Sequence, residues 1–430
     1  MQSTANRQHP PSTSAKKTVL MAALTFVLAL LTSLSLSAQT YSVIYNFTGQ
    51  RDGANPAAGV TLDLGGNLYG TTSAGGSNNC TNNGAVGCGT VFKLSHRGAG
   101  WSFSPLYEFT GTPDGANPLA RVVFGPNGAP FGTTGNGGAL GAGTVFELQP
   151  PLHNCPTTFC PWIETQIYTF QGQQGGGYPG GGDLVFDPQG NIYGTTGGGG
   201  GYLCDDGPCG TVYELSPNSG SWTAHYFSTN FGGVDCCPYS GLVRGSSGTL
   251  FGTNVGIWGG IYAMQNGFAT NIEFFSQYPY SLPIGGLILD ASGNLYGTTS
   301  SAGSGAGGMV FKYVVSDSTL TILYNFVGTG EFEEGPTATL LMDAAGNLYG
   351  ITHLDGAHRQ GSVFKLSQSN GLWTLTTLHD FTGGADGGQP FGQLTMDATG
   401  NIYGTAEVGG SSVGNCYQGL GCGVVFEITQ

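Results

Sequence analysis

Acidic side chains precede a proline at five places along the chain. The segments are Asp52-Gly-Ala-Asn-Pro56, Asp114-Gly-Ala-Asn-Pro118, Asp235-Cys-Cys-Pro238, Glu331-Phe-Glu-Glu-Gly-Pro336 and Asp386-Gly-Gly-Gln-Pro390. Brought to one face, the carboxylates of Asp52, Asp114, Asp235, Glu334 and Asp386, with the amides of Asn55 and Asn117, would form a ligand-binding ring. Oxygen groups of this kind also suit calcium. The plainer interpretation is that Asp-Gly forms a turn and that proline opens the next strand.

Glu331, Glu333 and Glu334 form the densest acidic cluster. Cleavage of a glycosidic bond needs an acid and a base or nucleophile about 5 to 10 Å apart, so this cluster raises a hydrolase as an alternative. A run of acids in one turn is more often a solvated loop. Nothing in the sequence fixes two of these carboxylates opposite each other.

A second candidate is the segment His353-Leu-Asp355-Gly-Ala-His358-Arg359. Two histidines with an aspartate could bind a metal or share a proton, and Arg359 could hold a carboxylate. The alternative is an exposed loop without a ligand. The chain has no Gly-x-Ser-x-Gly elbow and no phosphate-binding loop, so we expect no nucleotide and no cofactor.

The ten cysteines mostly fall in close pairs, which predicts disulfides in an oxidising compartment. We expect bridges Cys80–Cys88, Cys204–Cys209 and Cys416–Cys422 in equivalent loops, and Cys155–Cys160 in another. Cys236 and Cys237 would form a vicinal bridge or pair elsewhere. A zinc site is disfavoured because Cys-x-x-Cys spacing and neighbouring histidines are absent.

These residues are set among seven copies of one short motif. The copies begin at Asn67, Ala129, Asn191, Thr249, Asn294, Asn347 and Asn401, as in Asn67-Leu-Tyr-Gly-Thr-Thr72, and each keeps an aromatic residue followed by glycine. Their spacing of 45 to 62 residues is typical of a propeller blade rather than of a helical hairpin.

Each copy contains four strand-like runs, here named a to d. In the third copy they are Leu184 to Asp187, Asn191 to Thr196, Gly210 to Leu215 and Trp222 to Phe227. An Asp-x-x-Gly-Asn hairpin joins a to b at Asp63, Asp187, Asp290, Asp343 and Asp397.

The ends of the repeat array predict how the ring closes. The seventh copy has a, b and c but no d strand before Gln430, whereas Ile44-Tyr-Asn-Phe47 reads like the d strand Leu323-Tyr-Asn-Phe326. The sequence therefore predicts an all-β, seven-bladed β-propeller with four-stranded blades, closed by the N-terminal strand completing the last blade. An open β-solenoid or two half-size domains are the alternatives.

The unit Asp-x-x-Gly-Asn-Leu-Tyr-Gly-Thr-Thr, followed by Gly-Gly and Gly-Thr-Val-Phe-Lys-Leu, resembles the GloVer tandem repeat of bacterial secreted choice-of-anchor proteins. The resemblance implies an extracellular repeat protein without an established activity. The blades are also similar to those of kelch and NHL-type propellers, which supports the fold and not a function.

The first 38 residues have the pattern of a secretory signal peptide. Arg7, Lys16 and Lys17 precede the apolar run Val19 to Leu31 and a small-residue stretch that ends at Ala38. We expect residues 39–430 to form the propeller, secreted to the extracellular space or the periplasm and not inserted in a membrane. The mature chain carries 8 basic and 25 acidic residues, which disfavours nucleic acid as a partner.

We therefore expect a non-catalytic, monomeric binding or scaffold module, with carbohydrate or protein at the cell surface as its partner. The alternative is a secreted polysaccharide hydrolase or lyase with its site at the channel mouth. A structural repeat without a specific ligand is the third class.

Overall fold

The computed structural model describes residues 39–77, 80–82, 85–98, 100–152, 160–172, 175–199, 203–204, 207–208, 210–227, 235–256, 258–265, 267–278, 280–301, 303, 305–328, 334–411, 416 and 419–430. The leader 1–38, Cys155, Cys209, Glu331 and Glu333 lie outside the described residues. Of Cys204, Asp235 and Cys236 only the backbone is described. Tyr41–Thr429 forms one compact unit.

The described residues form β-strands and no α-helix, and therefore no helix among them is long and apolar enough to cross a membrane. The strands are β1 (Thr40–Asn46), β2 (Val60–Leu62), β3 (Leu68–Thr72), β4 (Thr81–Asn82), β5 (Ala85–Val86), β6 (Thr90–Arg97), β7 (Gly100–Glu108), β8 (Val123–Phe124), β9 (Pro130–Thr134), β10 (Thr144–Gln149), β11 (Ile163–Thr169), β12 (Val185–Phe186), β13 (Ile192–Thr196), β14 (Leu203–Cys204), β15 (Gly207–Pro208), β16 (Thr211–Asn218), β17 (Ser221–Phe227), β18 (Asp235–Cys237), β19 (Val243–Arg244), β20 (Leu250–Gly256), β21 (Gly260–Gln265), β22 (Phe268–Phe274), β23 (Ile288–Leu289), β24 (Leu295–Thr299), β25 (Ala306–Val314), β26 (Thr319–Val327), β27 (Leu341–Met342), β28 (Leu348–Thr352), β29 (Ser362–Ser369), β30 (Leu372–Asp380), β31 (Thr395–Met396), β32 (Ile402–Ala406) and β33 (Val424–Thr429).

Seven four-stranded antiparallel blades stand in a ring and form a β-propeller, which confirms the fold predicted from the sequence. Blades one to six are β2-β3-β6-β7, β8-β9-β10-β11, β12-β13-β16-β17, β19-β20-β21-β22, β23-β24-β25-β26 and β27-β28-β29-β30. Blade seven is β31-β32-β33-β1, so the first strand of the described chain completes the last blade.

Blade four departs from the predicted pattern. The segment Asp235–Cys237, which the sequence places in a d–a loop, forms β18 and pairs with the end of β20 at Val255 and Gly256. The b strand β20 has 7 residues where its counterpart β3 has 5. Its longer edge therefore has backbone groups left to pair, and β18 pairs with them.

The Leu-Tyr-Gly motif forms the b strand because its glycine lies under an aromatic ring of strand c. A Cβ atom on Gly70 would lie 2.5 Å from Cζ of Phe92, and the same aromatic position faces the motif glycine in all seven blades. The rings fill the space between the b and c strands, and the buried aromatic and aliphatic side chains form clusters between neighbouring blades.

The a–b hairpins are held by the predicted aspartates. In blade three, Oδ1 of Asp187 accepts hydrogen bonds from the backbone of Gln189 and Asn191, and Oδ2 accepts from the Asn191 amide and the Tyr193 hydroxyl. Burial acts to raise the pKa of this carboxyl, but the hydrogen bonds outweigh it and the pKa is lowered. The pKa is lowered in the same way at Asp63, Asp290, Asp343 and Asp397.

Candidate functional site

The entry to strand a of each blade lines a central channel. Its cavity has a volume of about 290 Å³ and is lined largely by small residues and backbone, with the rings of Tyr239 and Phe391. One position in each blade, directly before the residue that leads into strand a, forms a ring of seven, which we call the channel ring. Its members are Gly59, Arg121, Asp183, Gly241, Gly286, Thr339 and Gln393.

Threonines of the b strands position the channel ring. The hydroxyl of Thr71 in blade one donates to the carbonyl of Ala120, the residue before Arg121 in blade two. Thr195 and Thr298 make the corresponding bonds to Ser240 and Ala338. The first threonine of the Thr-Thr pair therefore ties each of these blades to the channel segment of the next.

Three ring side chains form one ionic cluster. Nε of Arg121 donates to Asp183 at 2.9 Å, Nη2 of Arg121 also contacts Asp183, and the same atom donates to Gln393 at 2.7 Å. The Arg121 and Asp183 side chains are largely buried, with 14% and 24% of their surface exposed. The cluster joins blades two, three and seven across the channel and fixes the guanidinium by paired, charge-assisted bonds.

The cluster was not found from the sequence. The signal was present, because aligning the copies on strand a puts one arginine and one aspartate at a position that is otherwise Gly, Thr or Gln. The repeat pattern instead predicted a ligand site in the acidic d–a loops.

The structure gives those loop aspartates internal partners. Asp52 accepts hydrogen bonds from the backbone and hydroxyl of Thr48 and from the Tyr45 hydroxyl. Asp114 is bonded in the same way by Thr110 and Tyr107, and Asp386 by Thr382 and His379. None of the three lines the channel cavity. Their hydrogen bonds hold strand d and the loop together, as expected for turn-forming residues.

Asn55 and Asn117 also join neighbouring blades. Both are buried and have φ of 55°, a left-handed conformation that asparagine tolerates. The Asn55 amide donates to the carbonyl of Glu407 in blade seven, and the Asn117 amide donates to that of Ser73 in blade one. Their ligand role stays a prediction.

The loop after strand b of blade six brings some of its predicted residues together and separates others. Nδ1 of His353 lies 3.2 Å from the carbonyl of Pro390, and its ring packs edge-on against Phe391 of the channel lining. Burial lowers the pKa of His353, and the bond to Pro390 only partly offsets this. His358 and Arg359 are exposed at the other end of the loop.

Asp355 lies in a group of carboxylates. Burial raises its pKa, and the charges of Glu334 and Asp380 raise it further. Glu334 itself is buried. Across the described ranges no group of three or more His, Cys, Asp or Glu side chains is arranged to hold a metal ion. Calcium binding therefore remains a prediction.

Two predicted disulfides are present, Cys80–Cys88 and Cys416–Cys422, each in a b–c loop. The disulfides pack against the following d–a loops. A Cβ atom on Gly111, for example, would lie 2.8 Å from Sγ of Cys80. Cys160 is also disulfide-bonded, while its predicted partner Cys155 is outside the described residues. The alternatives at Cys204, Cys209, Cys236 and Cys237 stay predictions.

The family follows from a match that extends over residues 29–430. The model of the Gloeobacter/Verrucomicrobia repeat matches residues 29–160, 80–258 and 254–430. The chain belongs to the Gloeobacter/Verrucomicrobia repeat family. This confirms the resemblance drawn from the Leu-Tyr-Gly and Thr-Val-Phe motifs. No curated protein matches this member of the family in sequence.

Several solved structures are similar to this Gloeobacter/Verrucomicrobia repeat protein at low sequence identity. One is a polysaccharide lyase of family PL25, an ulvan lyase, with a TM-score of 0.52, 12% identity, and coverage of 85% of this chain and 93% of the lyase. Another is a putative 6-phosphogluconolactonase from Bacteroides uniformis, with a TM-score of 0.45, 16% identity, and coverage of 75% and 84%. At these identities the likeness concerns the fold alone.

Proposed function

We propose that this chain is a secreted, non-catalytic binding module that takes a carbohydrate or a protein segment of the cell envelope at the mouth of its central channel. The observation that carries the proposal is the channel ring. Its two charged side chains, Arg121 and Asp183, bond each other and Gln393. In the cavity this arginine and aspartate are therefore already paired, and Glu407 and two aromatic rings also line it.

Secretion is supported by the disulfides, which persist in oxidising compartments, and by the leader pattern of the sequence. The absence of membrane-spanning helices among the described residues is compatible with it.

A second candidate is a polysaccharide hydrolase or lyase, and the pair Glu334 and Asp355 favours it. The two carboxylates are close enough for the charge of Glu334 to raise the pKa of Asp355. Acid and base chemistry on sugars usually uses a pair of carboxyl groups. The ulvan lyase of similar fold is a polysaccharide lyase, which supports considering such chemistry as the alternative.

One experiment separates these functions. Purified residues 39–430 are incubated with soluble and insoluble polysaccharides, and both protein retention and released sugars are measured. The Tyr239→Ala variant removes an aromatic side chain that lines the cavity, from a residue that is 39% exposed. Tyr280→Ala removes an aromatic side chain outside the cavity, from a residue that is 68% exposed. We expect retention without product, lost at least tenfold in Tyr239→Ala and kept in Tyr280→Ala.

Sugar release that disappears in Glu334→Gln or Asp355→Asn would replace the binding module by the enzyme. Retention that is equal in both tyrosine variants would rule out the channel mouth as the binding site.

A further inference from the structure

We propose that the groove between blades four and five is a binding site for a neutral saccharide. This groove, here named the seam groove, has a volume of about 510 Å³ and is lined by Phe251, Gln265 and Phe268 of blade four and by Tyr313 and Ser318 of blade five. It shares no lining residue with the channel cavity. The inference therefore does not rest on the proposed function of the channel.

The seam groove exists because strand c of blade four lacks a long side chain. Opposite the aromatic residue of strand b, the other six blades carry Lys93, Glu147, Glu214, Lys312, Lys365 and Glu427. The three lysines lie over the tyrosine rings that they face, at 5.0 to 5.5 Å. Blade four has Ala263 opposite Phe251. The space over this part of the blade is therefore left open.

A second replacement opens the same space from the neighbouring blade. A tryptophan stands near the start of strand d in blades one, two, three and six, at Trp101, Trp162, Trp222 and Trp373. It is the second residue of β7, β17 and β30 and directly precedes β11. Trp101 packs against the strand b ring of the preceding blade, with centroids 5.8 Å apart at Tyr403. Blade five has Ser318 at this position, eight residues before Phe326 as Trp101 is before Phe109. Only blade four combines a small strand c residue with a following blade that lacks the tryptophan.

The lining of the seam groove is uncharged but rich in hydrogen-bonding groups. Nε2 of Gln265 donates to the hydroxyl of Thr249 at 3.0 Å, and this hydroxyl lies 3.0 Å from that of Ser247. Among the described residues that line the groove, none is Asp, Glu, Lys, Arg or His. Phe268, whose ring is 68% exposed, provides the apolar side.

This chemistry selects the ligand class. An occupant that covers the amide and hydroxyls must hydrogen-bond to the donor and acceptor positions that their mutual bonds leave open, because a buried polar group that loses its water without a new partner costs about 1 to 3 kcal/mol. A phenyl ring could not do so, and an indole ring offers a single N–H donor and no acceptor. A sugar ring presents C–H groups to the aromatic side and hydroxyls to the polar side. An anionic sugar would find no counter-charge among the described lining residues, and it would be repelled by the acidic chain, which carries 25 acidic and 8 basic residues in 39–430.

The test fills the seam groove with the side chain that other blades carry. Ala263→Lys adds the lysine found in blades one, five and six, and Thr223→Lys adds the same charge on an exposed residue of blade three. Binding of cellohexaose, xylohexaose and mannohexaose to residues 39–430 is measured by isothermal titration calorimetry, with N-acetyltryptophanamide as the aromatic alternative. Thermal unfolding shows whether each variant is folded.

We expect at least one neutral oligosaccharide to bind the unchanged protein and Thr223→Lys equally. Its affinity should fall at least tenfold in Ala263→Lys and in Phe268→Ala. Unchanged affinity in folded Ala263→Lys would overturn the proposal, as would binding of N-acetyltryptophanamide alone or of none of the probes. Binding lost in Tyr239→Ala but kept in Ala263→Lys would assign the sugar to the channel. That result would overturn the seam groove and leave the proposed function standing.

Discussion

Glu164 occupies a position in strand d, six residues before the closing phenylalanine, that is apolar in several other blades. The counterparts are Phe103, Leu320 and Leu375. One carboxylate oxygen of Glu164 is buried without a hydrogen-bond partner in the described part of the chain. Burial first, and the charge of Asp114 second, raise the pKa of Glu164 to about 7. The ionised form is therefore destabilising in the folded protein.

We expect Glu164→Leu to stabilise the protein at pH 8 and to have no such effect at pH 4. The folded state holds the Glu164 proton more tightly than the unfolded chain, whose pKa is near 4.5. Stability is therefore lost as the pH rises from about 4.5 through 7. The gain at pH 8 should be roughly 1 to 2 kcal/mol, less than the full pKa shift would give, because water screens the half-buried carboxyl.

Urea unfolding at pH 4, 6 and 8 measures this difference. Thr165→Leu, at the exposed neighbouring residue of the same strand, is the control and should change stability equally at all three pH values. A gain for Glu164→Leu that does not depend on pH would show that the leucine acts through packing alone.

Strands b and c act as one unit in every blade, because the motif glycine admits the aromatic ring of strand c. In blade six a Cβ atom on Gly350 would lie 2.5 Å from Cζ of Phe364 and 3.0 Å from Cδ2 of Leu340. Both neighbours are buried. The ring has no free space to move into, so a methyl group here must separate the strands or shift the ring.

Gly350→Ala should therefore lower the free energy of unfolding by about 2 kcal/mol, the usual cost of overpacking. The matched control is Gly100→Ala at the start of β7, where an added Cβ meets no atom within 4 Å. Chemical denaturation of the two variants beside the unchanged protein gives the comparison. Equal stability of all three would mean that the motif glycine is not kept for this contact.

The strands and hairpins were predictable from the sequence because the motif of each recurs in several copies of the repeat. The positions of the strands follow from three recurring features: the motif of strand b, the Asp-x-x-Gly-Asn hairpin and the aromatic residue of strand c. The structure confirms these strands. β18 was not predictable, since its pairing depends on the length of β20 and on no motif of its own.

The side chains of the channel were harder to predict than the strands. Arg121 bonds to Asp183 and Gln393, which are 62 and 272 residues away, and no local pattern joins them. The loop aspartates differ in that their bonding partners are local, and their ligand role stays a prediction. Asp52 looks like a ligand in the sequence, but its partners Tyr45 and Thr48 lie within seven residues.

At the scale of the whole molecule, one strand joins the two ends of the ring. The backbone N–H of Phe47 donates to the carbonyl of Gly423 at 3.1 Å, next to the pairing of β1 with β33. The outer side chains of β1 contact both neighbouring blades: Tyr41 stacks on His379 of blade six, and Tyr45 stacks on Phe103 of blade one. Phe47 is fully buried between blades seven and one.

Removal of residues 39–47 should therefore open the ring. The deletion leaves the edge of β33 unpaired, and an exposed strand edge is a template for another chain. We expect a lower melting temperature and self-association in sedimentation velocity. The milder variant Phe47→Ala should stay monomeric and lose about 3 to 5 kcal/mol of stability. Adding a peptide of residues 39–48 in excess should restore the monomer of the truncated protein, whereas a scrambled peptide should not. A truncated protein that is monomeric with an unchanged melting temperature would show that six blades and the three remaining strands close the ring without β1.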